Sequence, residues 1–206
     1  MEQNNRIGLL GGTFNPVHLG HLVIAQNALE VFDLDKVIFI PCANPPHKTP
    51  SILASAEHRM AMLETVIEDD PRFEVSDIEI RRDGTSYTID TVTQLKKLSP
   101  YAEFHFIIGA DSLLELHSWK DIGQLLKLCT FVTFARPGAD TSRIRANDLK
   151  LDPPWAEKLL ENIATSHLLD ISSSDIRHRV AEGMSIRYLV PLEVEMYIAE
   201  HNLYAK

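Results

Sequence analysis

Two histidines, His18 and His21, close a glycine-bearing segment that reads Gly11-Gly12-Thr13-Phe14-Asn15-Pro16-Val17-His18-Leu19-Gly20-His21. One helical turn places a pair at this spacing on one side of a helix. Beside a phosphate, two imidazoles can donate N–H bonds that strengthen as charge moves onto a leaving oxygen. The preceding glycines let the backbone approach a ligand closely. A helix N-terminus adds free N–H groups and the positive end of a dipole. The segment is not a dinucleotide fingerprint, because its glycines do not fit G-x-G-x-x-G, and no Gly-Lys-Ser/Thr follows to make a P-loop. A zinc pair lacks the i, i+4 spacing and the glutamate of H-E-x-x-H. An isolated H-x-x-H is most often a turn histidine plus a helix-start histidine. Here the glycines, Pro16 and the position after a strand favour phosphate.

Four other segments carry candidate chemistry. Pro45-Pro46-His47-Lys48 is a proline-stiffened loop that leaves His47 and Lys48 projecting; Lys48 suits a phosphate, although most lysines are simply solvated. Ser86-Tyr87-Thr88-Ile89-Asp90-Thr91 can begin a helix, with Ser86 or Thr88 as N-cap. Its free N–H groups can equally hold a carboxylate. Gly109-Ala110-Asp111 offers an acidic residue that either caps a helix or accepts from a ribose hydroxyl. Ser172-Ser173-Ser174-Asp175-Ile176-Arg177 is a capping signal of the S-x-x-D type, and Arg177 has the planar donors that suit phosphate. Trp119 is either a ring-stacking platform or a core residue. His58, His105, His167, His178 and His201 fall in no cluster and are assigned no chemistry.

The elements that must position these residues alternate between buried strands and helices. Continuous apolar runs at 7–10, 37–40, 104–108 and 130–135 read as strands, with one or two shorter ones over 73–80 and a late one over 167–171. Helical spacing marks 19–32, 55–68, 87–98, 111–128 with a break near Ser118, 174–181 and 192–201. Gly138 to Pro154 has the weakest pattern for regular structure. Apolar strands separated by helices imply an α/β, Rossmann-like, doubly wound and mostly parallel sheet with helices on both faces. A single domain over 1–206 with a small C-terminal helical part, about 171–206, is expected. In such a sheet ligands bind beyond the carboxyl ends of the strands, near the point where strand order reverses.

The chain has 206 residues, a formal net charge of −9, 45% hydrophobic and 24% charged residues. That is a globular composition, and the acidic balance argues against a nucleic-acid-coating surface. Cys42 and Cys129 are far apart and form no C-x-x-C, so neither a disulfide framework nor a zinc ribbon is expected. No apolar run reaches the ~18 residues of a membrane span, and the polar start shows no signal-peptide pattern. The expectation is a cytoplasmic protein.

Gly-Gly-Thr-Phe-Asn-Pro-Val-His-Leu-Gly-His resembles the signature of the H-x-G-H nucleotidylyltransferase superfamily. The four further segments, in this order and spacing, together with Trp119, resemble the bacterial nicotinate-nucleotide adenylyltransferase branch over nearly the whole chain. The resemblance implies transfer of AMP from ATP to nicotinate mononucleotide, giving deamido-NAD and pyrophosphate. It implies His18, His21, Lys48 and Arg177 at the reacting phosphates. It implies ATP contacts from Gly11, Gly12, Thr13, Phe14, Gly109, Asp111, Ser172, Ser173 and Ser174. Lys48, Tyr87, Thr88 and Trp119 would receive nicotinate mononucleotide, with backbone N–H groups on its carboxylate. Such donors prefer a carboxylate to a carboxamide, whose NH₂ would face them with donors. Glu115-Leu116-His117-Ser118-Trp119-Lys120 lacks the tyrosines often seen in relatives. Mg²⁺ is expected to arrive with ATP, with no permanent metal site; a homo-oligomer is left open. Two other classes stay open on sequence: a metal-dependent phosphohydrolase with His18, His21, Asp90 and Asp111 as ligands, and a non-catalytic nucleotide-binding module.

Overall fold

The computed structural model describes residues 5–44, 53–135, 141–165, 167 and 169–206. Lys48, with Pro45, Pro46 and His47, lies outside the described residues. Six strands, β1 (Arg6–Gly12), β2 (Lys36–Pro41), β3 (Phe73–Val75), β4 (Glu103–Gly109), β5 (Thr130–Phe134) and β6 (Ile163–Ala164), form one sheet. Its order is β3-β2-β1-β4-β5-β6. Every pairing within it is parallel. The helices are α1 (Leu19–Val31), α2 (Ala56–Ile67), α3 (Thr88–Leu98), α4 (Ala110–Glu115), α5 (Ile122–Leu128), α6 (Pro153–Glu161), α7 (Ser173–Ala181) and α8 (Leu192–Glu200).

Side chains alternate across each strand, and both faces are apolar, so both must be covered. Ile7, Leu9, Ile38, Ile40, Phe104, Phe106 and Phe131 pack with residues of α3, α4, α5 and α6. Val37, Phe39, Ile107, Val132 and Phe134 pack on the other face with α1, α2, α7 and α8. The closing helices therefore belong to the main core, with Ile176, Val194 and Ile198 all buried. The chain runs β1, β2, β3 to one edge, then returns to the other side of β1 with β4. The reversal point is the crevice above the C-terminal ends of β1 and β4, where Gly12 and Gly109 end their strands.

Three sequence expectations shift. The late strand is Ile163–Ala164, and among the described residues 167–171 no strand occurs. A two-residue pairing to the end of β5 is too short to leave an apolar run. Over 73–80 only Phe73–Val75 is strand; Ser76 bonds back to Phe39 O and the chain then turns. The region after Gly138 is built: turns at Thr141–Arg143 and Ala146–Leu149 are held by Leu149, which is fully buried. The break near Ser118 is present, as a 3₁₀ turn at Leu116–Ser118 between α4 and α5.

Candidate active site

The glycine-histidine loop turns sharply between β1 and α1. Phe14 sits at φ 47°, in the left-handed region, a conformation that costs a non-glycine residue about 1 kcal/mol or more and clusters at functional sites. Its ring lies where a Cβ on Gly12 would come within 3.0 Å. From there it meets the His21 ring edge-on at 4.9 Å. His18 is the N-cap of α1 and is buried. Its backbone N–H donates to His21 Nδ1 at 3.2 Å. Because His21 Nδ1 accepts, a neutral His21 carries its proton on Nε2. The two rings stack at 3.7 Å and 30°. Gly20 makes that stack fit: a Cβ there would lie 3.0 Å from His18 Nδ1.

The C-terminal helices fasten this loop. Ser172 caps α7 by accepting from Asp175 N–H at 3.1 Å. Ser173 Oγ donates to Pro16 O at 2.9 Å. Arg177 donates to Asn15 O at 2.8 Å and to Ser174 Oγ at 3.3 Å; its Nε is buried with no partner among the described residues. Tyr204 OH donates to Asn15 Oδ1 at 2.8 Å, and burial raises the Tyr204 phenol well above its ordinary pKa. Residues distant in sequence thus converge on one loop: His18 and His21 with Ser173 and Arg177.

The second group gathers at the start of α3. Its N-cap is Tyr87, with no side-chain cap bond. Neither Ser86 nor Thr88 is the cap: Ser86 Oγ instead accepts from Asn44 N–H, and Asn44 Nδ2 donates to Gly84 O. These bonds tie the exit of β2 to the α3 entry. The first intrahelical donors to Tyr87 O are Asp90 and Thr91, so the N–H groups of Thr88 and Ile89 are available at the helix start. Lys120 Nζ stands 4.4 Å over the Tyr87 ring and 3.2 Å from Asp90 Oδ2. Trp119 is half-buried, edge-on to Phe106 and Phe131. Asp111 is exposed in the first turn of α4, just beyond Gly109.

The sequence profile of the cytidylyltransferase-like family matches residues 9–179. A protein of Thermoanaerobacter sp. (strain X514) named probable nicotinate-nucleotide adenylyltransferase is 45% identical, over 100% of this chain and 97% of its own. The chain belongs to the nicotinate-nucleotide adenylyltransferase family. A relative of the same name from Halalkalibacterium halodurans is 44% identical, covering 97% of this chain and 91% of its own. The Plasmodium falciparum nicotinic acid mononucleotide adenylyltransferase solved with NaAD shares the fold. It aligns with a TM-score of 0.75 at 20% identity, over 97% of both chains.

Several polar residues of this family member escape a sequence reading. Arg59 is 1% exposed and donates to Ala54 O at 3.0 Å, Thr13 O at 2.8 Å and Cys42 O at 2.7 Å. Burial lowers its pKa, but an arginine stays charged in proteins. The available signal was its spacing with Met62 and Leu63 on the buried face of α2. Behind α3, Arg82 donates to Thr91 Oγ1, which donates to the buried Glu79 at 2.7 Å. Cys42 lies near Glu79, and burial pushes its thiol up to about 11. His58 and His201 do meet, around Tyr197: His58 Nδ1 is 2.9 Å from Tyr197 OH, and the Tyr197 and His201 rings stack at 4.0 Å. They sit at the α2–α8 contact. No helix among the described residues is long and apolar enough to cross a membrane.

Proposed function

We propose that the chain transfers AMP from ATP to nicotinate mononucleotide, forming deamido-NAD and pyrophosphate. The observation that carries this reading is the stacked His18–His21 pair at the start of α1, on a loop braced by Ser173 and Arg177. The relatives' names supply the substrate class.

A phosphate oxygen of nicotinate mononucleotide attacks the α-phosphorus of ATP in line. The bond from that phosphorus to the bridging oxygen breaks, and pyrophosphate leaves with the electron pair. A phosphomonoester is largely dianionic at pH 7, so no general base is needed. Catalysis is then positioning and charge stabilisation. His21 donates from Nε2, and His18 lies against it at the same helix start. Arg177 contributes its charge and those of its five N–H donors not held by Asn15 and Ser174. Lys48, Gly11, Gly12, Thr13 and Phe14 complete the phosphate side in this reading, with Ser172, Ser173 and Ser174 around the α7 N-terminus. Gly109 and Asp111 receive the ribose of ATP. The N–H groups after Tyr87, at Thr88, take the nicotinate carboxylate, with Trp119 beside the ring.

Among the described residues no group of three or more His, Cys, Asp or Glu could hold a metal. Mg²⁺ would travel on the ATP phosphates, which supply the hard oxygen ligands it prefers.

The test is product analysis after incubation with ATP, Mg²⁺ and nicotinate mononucleotide. Equimolar pyrophosphate and deamido-NAD are expected. Release of inorganic phosphate instead, or ATP binding with no product, would replace this reading with a hydrolase or a binding module.

A further inference from the structure

We propose that Arg59 is a positioning residue for the phosphate-binding loop, acting through the Thr13–Phe14 peptide. The inference rests on the adenylyl-transfer reading and deepens it. Arg59 lies on α2, outside the glycine-histidine segment, and is 1% exposed. Among the described residues its hydrogen-bond partners are all neutral carbonyls. A buried cation without a bonded carboxylate is costly to keep, and packing alone would be better served by an apolar side chain at that position.

What the guanidinium holds explains its place. One nitrogen bridges Thr13 O, at the exit of β1, and Cys42 O, at the exit of β2, at 2.8 and 2.7 Å. Nε holds Ala54 O at 3.0 Å, just ahead of α2. Ala54 N–H in turn donates to Asn15 Oδ1 at 3.1 Å. A trans peptide sets its carbonyl and its N–H on opposite sides. With Thr13 O drawn inward to Arg59, the Phe14 N–H is directed away from the core. No group among the described residues accepts from it. A carbonyl bonded to a cation also polarises its own peptide, so the N–H on the far side becomes a stronger donor. The left-handed Phe14 is therefore over-determined: Gly12 accommodates its ring and Arg59 fixes the peptide before it. The product is an oriented N–H, backed by a buried positive charge, aimed at the phosphates of ATP.

Two measurements test this. Arg59→Lys keeps the charge and the stem but cannot span the carbonyls with a fork. The folded variant is expected to lose about tenfold or more in kcat, with KM for nicotinate mononucleotide changed by less than about twofold. A fall in Tm with unchanged kcat is what a purely structural arginine would give, and it overturns the proposal. So does a KM for nicotinate mononucleotide that rises in step with the loss. Independently, wild-type protein labelled with ¹⁵N-phenylalanine should show the Phe14 amide proton moving downfield on addition of ATP alone. An unmoved Phe14 amide at saturating ATP overturns the proposal, and decides alone if the lysine variant does not fold. Wild-type protein that makes no deamido-NAD yet shifts Phe14 with ATP would instead break the transfer reading and leave the loop geometry standing.

Discussion

Replacing Gly20 with alanine adds one methyl group inside the first turn of α1. Its ideal position is 3.0 Å from His18 Nδ1 and 3.1 Å from His18 Cε1, where ordinary contact begins at 3.4 Å. The His18 ring must therefore yield by 3.4 − 3.0, or about 0.4 Å. It cannot do so alone, because it is stacked on His21 at 3.7 Å. A misplacement of 1 Å at a reacting centre costs about 100-fold, so on a logarithmic scale 0.4 Å costs about sixfold in turnover. Stability should move the other way or stay level, since alanine is favoured over glycine in a helix by up to about 1 kcal/mol, less the crowding at His18. Gly123→Ala in α5 is the control, because nothing lies within 4 Å of a Cβ there. The assay is steady-state turnover beside a thermal melt for both variants. Full turnover in Gly20→Ala would refute the argument, and so would a loss that simply follows a falling Tm.

Two other outcomes follow from the geometry. His21→Asn keeps a side-chain acceptor for His18 N–H but removes the Nε2 donor, so Tm should change little while turnover falls roughly 100- to 1,000-fold; near-normal turnover would remove the donor role. His105 is held below its ordinary pKa of 6.5, chiefly by burial in β4. The unfolded chain therefore takes up that proton first, so stability is level above pH 6.5 and falls as pH drops below it toward the folded value. His105→Leu should flatten the Tm loss between about pH 7.5 and pH 5.5 in thermal melts; an unchanged slope would contradict it.

Much of this was readable in the chain. Doubly covered parallel strands must be apolar on both faces, and 7–10, 37–40 and 104–108 announce themselves that way. The turn between β1 and α1 was legible because glycines, a proline and paired histidines follow the first strand. What stayed hidden depends on tertiary contacts. β6 is two residues long and leaves no periodicity. The cap of α3 fell to Tyr87 because Ser86 Oγ bonds to Asn44 across the site instead. Arg59 reads as an ordinary helix charge until its face is compared with Met62 and Leu63. His58 and His201 are far apart in sequence and meet only because α8 folds back onto α2. Arg177 reads in sequence only as a residue suited to phosphate, and its bond to Asn15 O, across the fold from α7, could not be foreseen from the chain.

In the proposed reaction AMP passes to a substrate whose carboxylate sits on the N–H groups at the start of α3. Turnover measured in parallel with nicotinate mononucleotide and nicotinamide mononucleotide tests both parts. A carboxamide turned toward those donors leaves a buried donor unpaired at about 1–3 kcal/mol, so kcat/KM for the acid should exceed that for the amide by roughly 10- to 100-fold. Equal values for the two substrates would contradict the account.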